Sequence, residues 1–196
     1  LLELDPLTAS ETMATPPLRS WRELWLCGGF PDALAAGVDG FRDWHEAYLR
    51  SYVERDLPQL GIAAEPILTR RLLTMLAHQQ GGLLNAESLT RSLAVDGKTV
   101  ASYLELLVDL LLVRRLSPWH GNVRKRLVKS PKVYVRDSGL VHALLGIGDR
   151  EALLAHPVAG TSWEGMAIES LIAAAPSGTE AYFFRTATGT EIDLVL

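Results

Sequence analysis

The sequence predicts an α+β fold, mainly helical, and three observations carry that expectation. Apolar residues recur at three- and four-residue steps through the first half of the chain. After residue 111 the pattern changes to short strand-like runs separated by polar loops. Residues 114–137 hold eight lysines and arginines against one acid, Asp137, in a chain whose net charge is −4. Three helices followed by a hairpin with a charged loop is the order of a winged helix.

Taken in order, residues 1–7 are short and apolar and read as a strand, and residues 8–17 as a Ser/Thr/Pro-rich connector. Trp21 and Trp25, at i and i+4, predict a helix over 18–26. Gly28-Gly29-Phe30-Pro31 stops it, and Asp32 opens a short helical turn. Residues 41–60 read as one amphipathic helix, with Phe41, Trp44, Tyr48, Leu49 and Tyr52 on one side, ended by Pro58. Pro66 suits a first helical turn, and Ile67, Leu68, Leu72, Met75 and Leu76 form a stripe that stops at Gly81-Gly82. Asn85 caps a short helix through Leu93, and Asp96 caps a third that turns Val100, Tyr103, Leu104, Leu107 and Leu111 inward. Residues 112–116 and 132–136 read as strands. Short helices follow at 138–145 and 150–155, a longer one at 162–175, and strands at 182–186 and 191–196 around Ala187-Thr188-Gly189.

Composition removes several function classes. A pI near 5.7 is wrong for a surface that is basic throughout, so any nucleic-acid contact is local. Cys27 is the only cysteine, which excludes an intrachain disulfide and a Cys-rich metal site and fits the cytoplasm. The longest apolar stretch, 104–113, contains Glu105 and Asp109 and is too short to span a bilayer, so no membrane partner is expected. There is no Walker loop to cradle a triphosphate. His45, His78, His120, His142 and His156 lack metal-ligand spacing and read as surface or capping residues. The missing initiator methionine and a finish in mid-strand read as a fragment.

Two sets of residues carry candidate chemistry. In a winged helix the third helix enters the major groove and the wing reaches the backbone. Here that helix opens with Lys98, Thr99 and Ser102, and the basic cluster adds Arg114, Arg115, Arg124, Lys125, Arg126, Lys129 and Lys132. Six such phosphate contacts would give a log–log salt slope of roughly −5. The alternative is a protein-interaction module whose basic loop docks on an acidic surface of its own protein or a partner. The second set is Glu164, Glu169, Glu191 and Asp193, carboxylates of the kind a metal-dependent phosphodiesterase clusters around a hard cation. Against it, Thr161 to Glu164 matches a capping box, and Glu169 lies about 140° around the helix from Glu164. No lysine follows Asp193. The fragment is therefore expected to bind no metal or cofactor and to catalyse nothing alone.

Several motifs in a fixed order carry a family resemblance. They are Gly28-Gly29-Phe30-Pro31-Asp32-Ala33-Leu34, Tyr52-Val53-Glu54-Arg55-Asp56-Leu57, Thr99-Val100 with Tyr103-Leu104, and Pro118-Trp119. The strongest is Lys125-Arg126-Leu127-Val128-Lys129-Ser130-Pro131-Lys132-Val133-Tyr134, continuing through Asp137-Ser138-Gly139-Leu140. Trp163-Glu164 and Phe184-Arg185-Thr186 with Gly189, Glu191, Ile192 and Asp193 complete the set. From Leu24 onward the chain resembles the C-terminal module of bacterial and archaeal AAA-type predicted ATPases. The resemblance implies a P-loop domain before Leu1, ATP and Mg as cofactors of the intact protein, DNA and the protein's own ATPase domain as partners, and an oligomer as an open question. It implies a helical lid remnant and linker over 1–62, a winged helix over 63–140, and a partial restriction-endonuclease-like helix and hairpin over 141–196. Gly29 and Pro31 are similar to a lid turn whose proline lies against adenine. Asp193 matches the metal-binding aspartate and Glu164 the helix glutamate of the endonuclease-like fold, with the E-x-K element falling beyond Leu196.

Overall fold

A computed structural model of the chain describes residues 5–14, 20–59, 64–119, 128–186 and 188–196. It is mixed α/β and mostly helical, with one four-stranded sheet. Among the described residues no helix is long and apolar enough to cross a membrane.

The first helix, α1 (Ala9–Ala14), lies where the sequence reads as connector. Thr8 starts it: the Thr8 N–H donates to Glu11 Oε2 at 2.8 Å and the Glu11 N–H donates to Thr8 Oγ1. That reciprocal pair is the Thr-x-x-Glu capping signal. Ser20 and Glu23 form the same box at α2 (Trp21–Cys27). Next, α3 (Pro31–Tyr48) starts a full ten residues before the expected amphipathic run and breaks at Gly37, φ +67°. The segment Leu49–Asp56 continues it as π-helix and passes into the short α4 (Leu57–Gln59), so the expected helix over 41–60 is three elements. An aromatic series lines its inner side, with Trp44 stacked on Tyr48 and Tyr48 on Tyr52 at 5.5 and 5.3 Å between centroids.

The three middle helices start where the sequence predicts, two of them on their predicted caps. Glu65 accepts from the N–H groups of Ile67 and Leu68 at the start of α5 (Pro66–His78). Asn85 caps α6 (Ala86–Leu93) and Asp96 caps α7 (Gly97–Asp109). Thr69, Leu72, Leu73, Leu76 and Ala77 are the buried side of α5, whereas Ile67, expected inside, is 69% exposed. Leu68 packs against the core, and the fully buried side begins at Thr69.

The sheet runs β2–β1–β3–β4, from β1 (Val113–Pro118), β2 (Lys132–Val135), β3 (Tyr182–Arg185) and β4 (Glu191–Val195). β1 pairs antiparallel with β2 and parallel with β3, and β3 pairs antiparallel with β4. The two hairpins thus share one sheet. Between them lie α8 (Ser138–Leu144), α9 (Arg150–Ala155) and α10 (Ala159–Ala174). The boundary expected at residue 140 falls inside α8. One core joins α2, α3, α5, α6, α7 and α8 to β1 and β2, and a smaller one gathers Leu116, Tyr134, Ile168 and Phe183 between α10 and the sheet.

Two histidines read as surface or capping residues are buried: His45 and His142 are both fully inaccessible. Trp25 Nε1 donates to Ser162 Oγ at 3.1 Å, and that oxygen lies 2.6 Å from His142 Nε2. His142 Nδ1 faces the Leu26 carbonyl at 2.9 Å. A carbonyl only accepts, so Nδ1 carries the proton and Nε2 accepts from the Ser162 hydroxyl. Burial is the largest influence on this ring and depresses its pKa to about 4, against the opposing pull of the Leu26 carbonyl.

The folded state therefore holds His142 neutral while the unfolded chain protonates near pH 6.5. Its contribution is complete above that pH and is lost as pH falls toward about 4. Urea unfolding is expected to show roughly 2 kcal/mol of His142-dependent loss between pH 7 and pH 5. A His142→Gln variant should flatten that part of the profile.

Candidate functional site

Residues predicted for two different roles meet at the edge of the small core. Lys132, Val133, Tyr134 and Val135 of β2 are all buried, and alternation places Lys132 and Tyr134 on one face. Glu164 projects from α10 toward that face, and Glu191 and Asp193 share a face of β4. Lys132 Nζ lies 3.2 Å from Glu164 Oε1, 2.6 Å from Glu191 Oε1 and 2.8 Å from Asp193 Oδ1. The ammonium's three donors thus have three carboxylates, and the Tyr134 hydroxyl donates to Glu164 Oε1 at 2.5 Å. The Phe183 ring sits beneath, with Nζ 5.7 Å from its centroid.

Burial on its own would lower the Lys132 pKa, but hydrogen bonds to Asp193 and Glu191 and the field of Glu164 carry it above the usual lysine value. Burial first, then the bond to Glu164, raises the Tyr134 pKa and keeps that hydroxyl a donor. Hard carboxylate oxygens suit magnesium in kind. Here, however, they converge on an ammonium, and among the described residues no group of three or more His, Cys, Asp or Glu is arranged to hold a metal ion. The site as built does not fit a cation beyond Lys132, and no step through a metal follows from it.

The structure thus corrects three readings of these residues. Glu164 is no cap: α10 begins at Ala159, its Val158 N-cap makes no side-chain bond, and the Thr161 hydroxyl donates to the Val158 carbonyl. The sequence places no lysine after Asp193, yet Lys132 supplies one from β2. Lys132 itself, expected on phosphates, points into the protein.

Arg114 and Arg115 are turned inward or neutralised as well. Being adjacent on β1, they lie on opposite faces. Arg114 forks onto Glu169, its Nη2 2.8 Å from Oε2, and Arg136 Nε reaches the same Oε2 at 2.8 Å. Asp5 pairs with Arg136 and lies 3.9 Å from Arg114. Arg115 is bidentate to Glu105 at 2.6 and 2.7 Å. Arg124, Lys125 and Arg126 lie outside the described residues. Lys129 and Lys98 are solvent-exposed, as is Ser102, while the Thr99 hydroxyl donates to Asp96 Oδ2 at 2.8 Å and completes the α7 cap. Among the described residues predicted for nucleic acid, then, Lys98, Ser102 and Lys129 are exposed.

At the turn after α2, Gly29 is buried and its N–H donates to Asp137 Oδ2 at 2.6 Å, while its carbonyl accepts from the Leu7 N–H. Pro31 is exposed at the first position of α3. The glycine of the supposed nucleotide turn faces inward and the proline faces out. Sequence reasoning missed Tyr134, Arg136 and the partnership of Glu169. The available signal was the two-residue period of Lys132, Tyr134 and Arg136, which gives all three one side of the strand.

A family model described as "Domain of unknown function (DUF8612)" matches residues 18–151. Uncharacterized proteins of Mycobacterium bovis and Mycobacterium tuberculosis are each 43% identical over 195 residues, 99% of this chain and 43% of theirs. The chain thus spans less than half the length of these curated relatives. No solved structure matches it.

Removing the ammonium leaves three facing carboxylates. Lys132→Met should lower stability at pH 7 by roughly 3 kcal/mol, the low end for a broken buried pair, because Asp193 stays 55% exposed. Urea titration of the two proteins at pH 7 checks this.

Proposed function

The chain belongs to the family described as a domain of unknown function (DUF8612), and from that premise we propose that it is a nucleic-acid interaction module of a larger, cytoplasmic AAA-type ATPase, with DNA as the ligand. In this reading α5, α6, α7, β1 and β2 are the winged helix. One observation carries it. The leading end of α7 presents Lys98 and Ser102 to solvent, while Val100, Leu104 and Leu107 on its other side pack into the core. Its exposed face is not needed to hold the fold and is free to meet a groove. Lys129, exposed beside the hairpin, is placed to reach an adjacent phosphate.

The region from α10 to β4 is read as endonuclease-like in architecture, with Glu164 and Asp193 in the corresponding positions and no catalysis by this chain. ATP and Mg belong, in this proposal, to the part of the longer protein outside it. A second reading, a module docking on its own ATPase or a partner protein, is favoured by one observation: Arg114, Arg115, Lys132 and Arg136 all pair with the chain's own carboxylates. The cluster is to that extent a device for holding protein to protein.

In this proposal Lys98 and Lys129 join Arg124, Lys125 and Arg126 of the basic run as five cations for phosphates, and the expected log–log salt slope for duplex DNA is about −4.5. Fluorescence anisotropy at several salt concentrations reads it. Replacing Arg124, Lys125 and Arg126 together by alanine should bring the slope to about −2, and Lys98→Ala should remove about one more. Salt-independent binding, or none, would favour the protein-docking reading.

A further inference from the structure

We infer that the outer face of the β3–β4 hairpin is a stacking platform for single-stranded nucleic acid, separate from the helix-turn-helix face. The two faces of this hairpin differ in kind. Phe183, Glu191 and Asp193 look inward at Lys132. Phe184 and its cross-strand partner Ile192 look outward. Trp119 joins them: its N–H donates to the Phe183 carbonyl at 2.6 Å, which fixes it beside β3, and its ring meets Phe184 edge-on at 6.2 Å. Trp119 is 40% exposed and Ile192 53%. Large apolar side chains left in water side by side mark a surface that something covers.

The charge beside the patch selects the occupant. The Val128 N–H donates to the Arg185 carbonyl at 3.2 Å, which brings exposed Lys129 to the same end of β3. Arg185 lies on the opposite face of β3, with Phe183, where its Nη1 is 3.4 Å from Glu191, so Lys129 supplies the positive charge at this end of the patch. Aromatic rings with a cation at their border suit a single strand, since bases stack on the rings and a phosphate meets the cation. A duplex keeps its bases stacked on one another and gains little from Trp119. This inference rests on the nucleic-acid reading above and adds the strand form and a second surface.

The test is anisotropy of the full chain with a fluorescein-labelled 20-nucleotide oligo-dT and, in parallel, a 20-base-pair duplex. Trp119→Ala should weaken the single strand about ten-fold, as for loss of one stacked base, and leave the duplex unchanged. Ile192→Glu, a change on an exposed edge that spares the fold, should weaken the single strand as well. Lys98→Ala should do the reverse, lowering duplex affinity alone. Equal single-strand affinity for the wild type, Trp119→Ala and Ile192→Glu would overturn the platform while leaving the α7 reading standing. Loss of self-association in Ile192→Glu, seen by sedimentation without any change in oligo-dT binding, would overturn it too and assign the patch to a second copy of the chain. Failure of the duplex arm alone would remove the α7 reading and not the platform.

Discussion

The Asp137 carboxylate is the interaction on which the arrangement of the helices depends. Its Oδ2 accepts from the Gly29 N–H at 2.6 Å, and its Oδ1 accepts from the Leu140 N–H at 2.7 Å and lies 3.1 Å from His45 Nε2. One side chain thus caps α8, ties down the turn between α2 and α3, and meets the last turn of α3. Gly28 adopts φ +84° there, and a Cβ at that position would overlap the carboxylate. A Cβ on Gly139 would likewise overlap the Cys27 carbonyl, so α8 and the end of α2 touch backbone to backbone. In the sequence Asp137 is the lone acid of a basic run; in the fold it faces away from that run, into a site lined by donors.

Charge inside this protein is organised in closed sets. Lys132 sits with three carboxylates, and Arg114 and Arg136 share Glu169 and Asp5. Burying an ion costs far more than a surface pair returns, so such groups persist only when geometry supplies nearly all their partners. Arg115 with Glu105 is different, because both are open to water and the pair contributes little. The same composition that reads as a phosphate-binding strip therefore divides into an internal scaffold and a smaller external remainder.

Much of the helical frame was legible. Caps at Asn85 and Asp96 act locally, within one helical turn, and local chemistry is written in adjacent letters. The strands expected at 112–116 and 132–136 form at Val113–Pro118 and Lys132–Val135. What could not be read were relations between distant residues. Nothing near Lys132 in sequence announces Glu164, Glu191 or Asp193, and nothing near Ser117 announces its parallel partner Tyr182. The Thr8–Glu11 cap was readable but lay in a stretch whose Ser, Thr and Pro content suggested a connector. The interruption of α3 at Gly37 and its π-helical continuation from Leu49 are details that periodicity alone does not specify. The candidate site was half visible: its residues were named, but the lysine and the carboxylates had been assigned to separate jobs.

Strand β1 has β2 on one side and β3 on the other. The segments that look like separable cassettes are therefore stitched along a common seam, and the fold offers no clean place to cut between them. A chimera that exchanged everything after residue 140 for the equivalent piece of a distant homologue would have to rebuild the hydrogen-bonded edge of β1, the acid for Arg114 and Arg136, and the carboxylates around Lys132 all at once. Inheritance of this architecture should therefore proceed by substitution within an intact block rather than by shuffling its halves.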